Sequence, residues 1–312
     1  MRTERELIRR IRRLAGRGKS LVTGIGDDCA VLRVPPGHEL LVTTDFSLEN
    51  VHFRREWHPP EQVGWRCLAR GLSDIAAMGG EPLAAFLSLA VAADVPQNWA
   101  DRFLKGLLSL AGKFGVPLAG GDLAQSDDGV QADIVVVGSV PKGKAVLRSG
   151  ARAGDRIYVT GDLGGAAAAL NRLRESKPLS AGYLRYMKPM PQVAAGLWLR
   201  RRGLASAMID LSDGLSTDLE HICEESRVGA EIDPRAIPRA KVPEPVALDL
   251  ALHGGDDYQL LFTSKATIPK KVAGVRVTPI GHITHSESMR LIGSDGKARR
   301  FRAGGWEHFA NR

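Results

Sequence analysis

Apolar positions change period along the chain, and the changes mark its elements. Leu7, Ile8, Ile11, Leu14 and Ala15 recur at helical spacing. The segment Ala30–Val34 reads as a strand, and Glu39–Asp45 as a second strand ending in two hydroxyls and a carboxylate. From Pro60 to Met78, the positions Val63, Cys67, Leu68, Gly71, Leu72, Ile75 and Met78 line one helix, with Gly79-Gly80 placed to end it. Residues 82–93 form a nearly continuous apolar run, the pattern of a buried strand. A helix is predicted over 98–114, a short strand over 116–122 and an alternating strand over 130–140. This half reads as an α+β layer of sheet and helices.

A joint follows at Pro141–Ala151. Beyond it a strand at 155–160 turns through Gly161-Asp162-Leu163-Gly164-Gly165 into an alanine-rich helix, 166–175, and another helix follows Pro191. Strand 207–210 enters Ile209-Asp210-Leu211-Ser212-Asp213-Gly214 and leaves as a helix carrying Leu215, Leu219, Ile222 and Cys223 on one face. Thr217 and Glu220 have capping-box spacing. A short strand at 229–233, a four-proline linker over 234–245, a weak helix at 246–252 and small strands complete the chain. The expected architecture is a two-domain α+β and α/β protein, with an N-terminal domain over 1–148 and a C-terminal α/β domain over 149–312.

Composition narrows the function classes. With 44% hydrophobic and 25% charged residues, the chain has a globular composition. No apolar run nears the length of a membrane span, and Met1–Arg13 has neither the apolar stretch nor the cleavage site of a secretory leader. Three scattered cysteines make neither a zinc pair nor a disulfide framework, so reduced thiols and a cytoplasmic location are expected. The net charge is +8, of which residues 1–19 hold +6. An arginine-rich start can bind nucleic acid. The apolar stripe through it favours a helix docked on the body with its arginines in water, and no nucleic-acid partner is expected.

Two nucleotide fingerprints fail on inspection. Gly24-Ile25-Gly26 lacks the third glycine, since Cys29 stands there, and a strand follows where a helix is required. Gly18-Lys19-Ser20 lacks the first P-loop glycine, because Arg13 occupies that position. Acidic residues at loop mouths are the stronger signal: Asp27, Asp28, Asp45, Asp74, Asp122, Asp210, Asp213, Asp256 and Asp257. Taken singly each suits a cap or a turn. Leu-Ser-Asp recurs at 72–74 and 211–213, each followed downstream by Gly-Gly-Asp, at 120–122 and 254–256. Asp74 lies near the C-terminal end of its helix, the unfavourable end for an anion, so a cation or basic partner is expected there. Crowded carboxylates repel unless a cation lies among them, and hard oxygen donors without a His/Cys cluster point to Mg²⁺. Several Mg²⁺ ions imply ATP and phosphoryl transfer.

Gly24-Ile25-Gly26-Asp27-Asp28, Thr43-Thr44-Asp45, Asn50-Val51-His52-Phe53, Leu72–Gly79, Gly120-Gly121-Asp122, Ile209–Gly214 and Gly254-Gly255-Asp256-Asp257-Tyr258 together resemble the thiamine-monophosphate kinase family, within the aminoimidazole-ribonucleotide synthetase and selenophosphate synthetase superfamily. The resemblance implies that Asp28, Thr43, Thr44, Asp45, Asp74, Asp122, Asp210 and Asp213 hold several Mg²⁺ ions. It implies ATP contacts at Gly121, Asp122, Arg148 and Ser212, and thiamine-monophosphate contacts at His52, Asp256 and Trp306. It further implies a homodimer through the N-terminal sheet, a cleft between the domains, and transfer of the ATP γ-phosphoryl group to thiamine monophosphate. Asp256 departs from the glutamate usual there, and Thr43 from a common serine. A ligase-type synthetase of the same superfamily is the alternative, disfavoured by the His52 segment and the Gly-Gly-Asp-Asp-Tyr motif.

Overall fold

A computed structural model describes residues 4–16, 18–96 and 98–309. Arg2 and Arg17, two members of the basic start, lie outside the described residues. The chain forms two compact units, one taking the residues up to Ile75 together with Gly80–Gly143, the other Ala76–Gly79 with the chain from Lys144 on.

The first unit opens with α1 (Glu4–Leu14) and the two-stranded ribbon β1 (Leu21–Thr23) and β2 (Val31–Leu32). Then come β3 (His38–Leu48), α2 (Pro60–Ala77), β4 (Glu81–Ala92), α3 (Trp99–Phe114), β5 (Leu118–Ser126) and β6 (Val130–Pro141). The four long strands form one sheet in the order β3-β6-β4-β5, antiparallel except for the parallel β4–β5 pair. β3 runs three residues past Asp45, because β6 offers ladder partners as far as Leu48. α2 is apolar on most of its circumference and is buried accordingly: Val63, Cys67, Leu68, Leu72 and Ile75 are all within a few per cent of fully enclosed. The stripe predicted for α1 is only partly covered. Ile11 and Ala15 are buried, while Leu14 is exposed.

The second unit holds β7 (Arg156–Thr160), α4 (Gly165–Arg174), α5 (Ala181–Leu184), a 3-10 turn, α6 (Val193–Arg201), β8 (Ala207–Asp210), α7 (Leu215–Ser226), β9 (Gly229–Ile232), α8 (Leu248–His253) and β10 (Leu260–Ser264). Four more strands follow: β11 (Lys271–Val272), β12 (Val275–Thr284), β13 (Met289–Ile292) and β14 (Ala298–Arg300). The sheet runs β14-β13-β9-β12-β7-β10-β8, with β11 paired to β12. Ile157, Val159, Ile209 and Leu261 pack there against Leu215, Leu219 and Ile222 of α7. α7 therefore lies on the sheet, its first turn reached from Asp210 at the end of β8 through a loop of four residues, Leu211–Gly214. The boxed cap expected at Thr217–Glu220 does not form. The helix starts earlier, with Gly214 as its N-cap, and glycine has no side chain to bond the first N–H groups; Thr217 Oγ1 instead accepts the Gly305 N–H, and Asp218 accepts the N–H of Gly214 itself.

Candidate active site

In the first unit a cavity of about 600 Å³ is bounded by the turn Gly24–Ala30, by Gly120-Gly121-Asp122 and by Ile8 and Ile11 of α1. It brings together Asp28, Gly121 and Asp122, three of the predicted residues. Asp28 is exposed and its N–H donates to Asp27 Oδ1 at 3.1 Å, so both carboxylates belong to one tight turn. The guanidinium of Arg12 lies over Gly26 of that turn. Gly121 has φ +145, and a Cβ placed on it would stand 1.8 Å from Leu87 O. Only glycine lets β5 press this closely on β4.

The strand β3 divides its predicted residues between two faces, as strand alternation requires. Thr43 and Asp45 face α2, where the Thr43 hydroxyl donates to Asp74 Oδ2 in a short hydrogen bond. Asp74 thus has a hydroxyl partner near the end of its helix. Thr44 points to the opposite face, and its hydroxyl donates to Asp133 Oδ1 at 2.6 Å. The registers place Asp122, Ser88, Asp133 and Phe46 in one row across that outer face. Asp133 was not among the sequence candidates. Alternation around Ala132 and Ile134 does put it outward, but only the β3–β6 register shows that it meets Thr44. His52, in the turn after β3, accepts the Leu48 N–H at Nδ1 over 3.0 Å, which fixes the neutral ring as a donor through Nε2.

In the second unit Asp210 ends β8 opposite Leu260 and is 3% exposed. The loop after it is held from two directions by backbone bonds. Leu211 N–H donates to Gln259 O at 2.8 Å, and Tyr258 N–H returns to Leu211 O at 2.8 Å. Asp256 N–H donates to Ser212 O at 2.8 Å, and Trp306 N–H to Asp213 O at 3.0 Å. Four sequence candidates, Ser212, Asp213, Asp256 and Trp306, thereby adjoin one another through main-chain hydrogen bonds. Asp256 takes a left-handed backbone, φ +66, with its carboxylate receiving the Tyr258 hydroxyl at 2.7 Å. Aspartate tolerates that conformation better than most residues. Arg148 is exposed, and its carbonyl accepts the Ser226 hydroxyl at 2.7 Å.

Asp218 is the main residue that sequence reasoning missed here. It is 1% exposed, and its Oδ2 accepts the N–H groups of Asp213 at 3.2 Å and Gly214 at 3.1 Å. Burial first, then the charges of Asp210 and Asp213, hold its carboxyl well above the usual carboxylate range. Its signal in the sequence is an acid on the buried side of an amphipathic helix, close after two other acids. Among the described residues no group of three or more His, Cys, Asp or Glu side chains forms a ready-made metal cage. Asp210 and Asp213 lie near enough to Asp218 to help raise it, after burial, and as hard oxygen donors their carboxylates suit a cation such as Mg²⁺.

Asp257, next to Asp256, is buried and accepts the Gly164 N–H at 2.6 Å, at the start of α4. Burial pushes its carboxyl up to about 7 against the opposing N–H groups of Gly164, Ala166 and Gly165. The folded state then keeps a proton that the unfolded chain has already released. The stability from this group is full at acid pH and is lost as pH rises toward about 7. Asp257→Asn retains a carbonyl acceptor and cannot ionise. Its thermal midpoint, measured from about pH 5 to about pH 8, is expected to fall less with rising pH than that of the parent chain.

Residues 26–140 match the AIR synthase related protein, N-terminal domain family, and residues 152–293 the AIR synthase related protein, C-terminal domain family. Thiamine-monophosphate kinase of Salmonella typhimurium is 38% identical over 307 residues, covering 92% of this chain and 92% of that one. The chain belongs to the thiamine-monophosphate kinase family. In fold it is similar to the crystal structure of thiamine-monophosphate kinase from Stenotrophomonas maltophilia, with TM-score 0.82 and 34% identity over 95% of this chain and 98% of the other. It is also similar to a ThiL structure complexed with AMPPCP and TMP, with TM-score 0.77 and 31% identity over 99% of each. The two-domain α+β and α/β architecture expected from the sequence is the architecture of this family.

Proposed function

We infer that this chain is an ATP-dependent kinase that phosphorylates thiamine monophosphate to thiamine diphosphate. The observation that carries the reading is the convergence of Ser212, Asp213, Asp256 and Trp306 on one loop, within a chain whose relatives of matching length bear this activity in their name. A phosphate oxygen of thiamine monophosphate forms the new bond to the γ-phosphorus. The bond from that phosphorus to the bridging oxygen breaks, and ADP leaves with the electron pair. The attacking phosphate has a second pKa of about 6 and is already anionic at neutral pH, so no side chain is needed as a base.

The work left to the protein is to hold two anions in line. Trp306 offers an aromatic face to the pyrimidine or the cationic thiazolium of the substrate. Asp256 and His52 are proposed as its polar contacts, His52 donating through Nε2. For ATP, Gly121 would bring bare backbone to the phosphates, Asp122 and Ser212 are assigned as further contacts, and Arg148 would offset negative charge. Asp28, Thr43, Thr44, Asp45, Asp74, Asp122, Asp210 and Asp213 would hold the Mg²⁺ ions. Bound Mg²⁺ supplies charge neutralisation between the two sets of phosphates. The N-terminal unit is assigned the larger share of Mg²⁺ and ATP contacts, and the C-terminal unit completes the ATP and substrate contacts.

The exposed residues Leu40, Val42 and Phe46 lie with Thr44 on the outer face of the edge strand β3. An exposed apolar row on a sheet face is a surface to be covered, and a second copy of this chain is the proposed occupant. Val42→Lys is expected to shift the protein from dimer to monomer in sedimentation, and an unchanged dimer would remove β3 from the interface. A cytoplasmic location goes with this activity. No helix among the described residues is long and apolar enough to cross a membrane. The central test is direct. The purified chain with ATP, thiamine monophosphate and millimolar Mg²⁺ should yield thiamine diphosphate and ADP, and no product under those conditions overturns the reading.

A further inference from the structure

Ser216, Thr217 and Asp218 stand in succession on the first turn of α7, and each is engaged outside its own helix ladder. Asp218 holds the N–H groups of Asp213 and Gly214. Ser216 Oγ accepts the Gly304 N–H at 3.2 Å, and Thr217 Oγ1 accepts the Gly305 N–H at 3.1 Å. The next N–H along, that of Trp306, goes to Asp213 O at 3.0 Å. Three consecutive amides of the C-terminal segment are thus bonded to one short stretch of α7 and the loop before it. The two glycines are what allow this approach. A Cβ on Gly305 would stand 2.2 Å from Asp213 O, and one on Gly304 would stand 2.9 Å from His253 Nδ1. Ser216 is fully buried and its hydroxyl also lies 2.8 Å from His253 Nδ1. The hydroxyl that receives Gly304 thus also lies within hydrogen-bond reach of that ring nitrogen, which ties Ser216 to α8.

We propose that Ser216 and Thr217 are positioning residues for Trp306, fastening the C-terminal segment against the Asp213 loop so that the indole is already in place when substrate arrives. The proposal rests on the reading of Trp306 as a thiamine-monophosphate contact. A Gly-Gly segment left unfastened samples many conformations, and ordering it on binding would weaken substrate affinity without changing the chemical step. The effect should therefore fall on the KM for thiamine monophosphate and spare both the KM for ATP and kcat.

The test uses Thr217→Val, which keeps the shape and removes the acceptor, and Thr217→Ser, which keeps the hydroxyl. Thr217→Val should raise the thiamine-monophosphate KM by about tenfold, the scale of one lost hydrogen bond, and Thr217→Ser should restore it. In a Trp306→Ala background, Thr217→Val should add less than about twofold, because a residue acting through Trp306 has nothing left to position. A full additional loss in that background, or a KM unmoved in a folded Thr217→Val protein, overturns the proposal. Amide exchange over residues 301–309 reads the fastening without any catalysis. Protection should fall in Thr217→Val and return in Thr217→Ser, and unchanged protection also overturns the proposal. Failure of the parent chain to make thiamine diphosphate would overturn the kinase reading and the substrate role of the fastening with it. Exchange would then decide by itself whether Thr217 holds the segment.

Discussion

Replacing Asp210 by Asn is expected to lower turnover with thiamine monophosphate by about 10²-fold or more, the range seen when one charge-stabilising group is removed from a phosphate or oxyanion site. Asp210 sits at the last position of β8, 3% exposed, and its position is set by the ladder to β10. The substitution changes charge and almost nothing in shape. The fold should be retained, and with the Asp210 charge gone the neighbouring Asp218 carboxyl should fall back toward the usual range. The measurement pairs kcat at saturating Mg²⁺ with a thermal melt. A turnover within twofold of the parent, in a protein that melts normally, would take Asp210 out of the active site.

Gly121→Ala should act on the fold as well as on ATP binding. The added methyl would stand 1.8 Å from Leu87 O at φ +145, so both the strand spacing and the backbone conformation must give. A loss of about 2–4 kcal/mol is expected in urea unfolding, from steric overlap and forced backbone strain together. The cavity shared with Asp28 and Asp122 would deform with it, so ATP affinity should drop in whatever fraction stays folded. Gly112→Ala is the matched control. Gly112 lies inside α3 with nothing within 4 Å of the added carbon. That variant should gain about 0.5–1 kcal/mol from helix propensity. Equal stability of the two variants would show that the close approach of β5 to β4 is not needed.

The amino-acid sequence placed the elements closely. Strand β4 was expected over 82–93 and spans Glu81–Ala92, and α2 was expected over 60–78 and spans Pro60–Ala77. These elements have long, unbroken periodicity and clear glycine or proline ends, which are local properties of a chain. Short pieces were harder. The four-residue α5 and the ribbon strand β1 carry too few apolar positions to show a period. The strand pattern ends at Asp45 while β3 continues to Leu48, because its last three residues are fixed by pairing with β6 and not by their own pattern.

The candidate acids can be picked out in one dimension, because an aspartate beside glycine at the end of an apolar run is a local pattern. Composition and motif order were enough to point to Mg²⁺, ATP and the kinase family. What each acid touches was not legible. Thr43 and Thr44 are neighbours in sequence and fall on opposite faces of a sheet, one bonded to Asp74 and the other to Asp133. In the sequence Asp218 is one more polar residue on a helix; in the structure it is buried and bonded to the N–H groups of Asp213 and Gly214. Trp306 lies over ninety positions from Asp213 in sequence, yet its N–H donates to that residue's carbonyl. By itself, then, the sequence determined the order of elements, the chemistry of the candidate ligands and the family. Register, burial and partner choice were decided only by the tertiary structure, since they depend on strand pairing and loop closure between residues far apart in the chain.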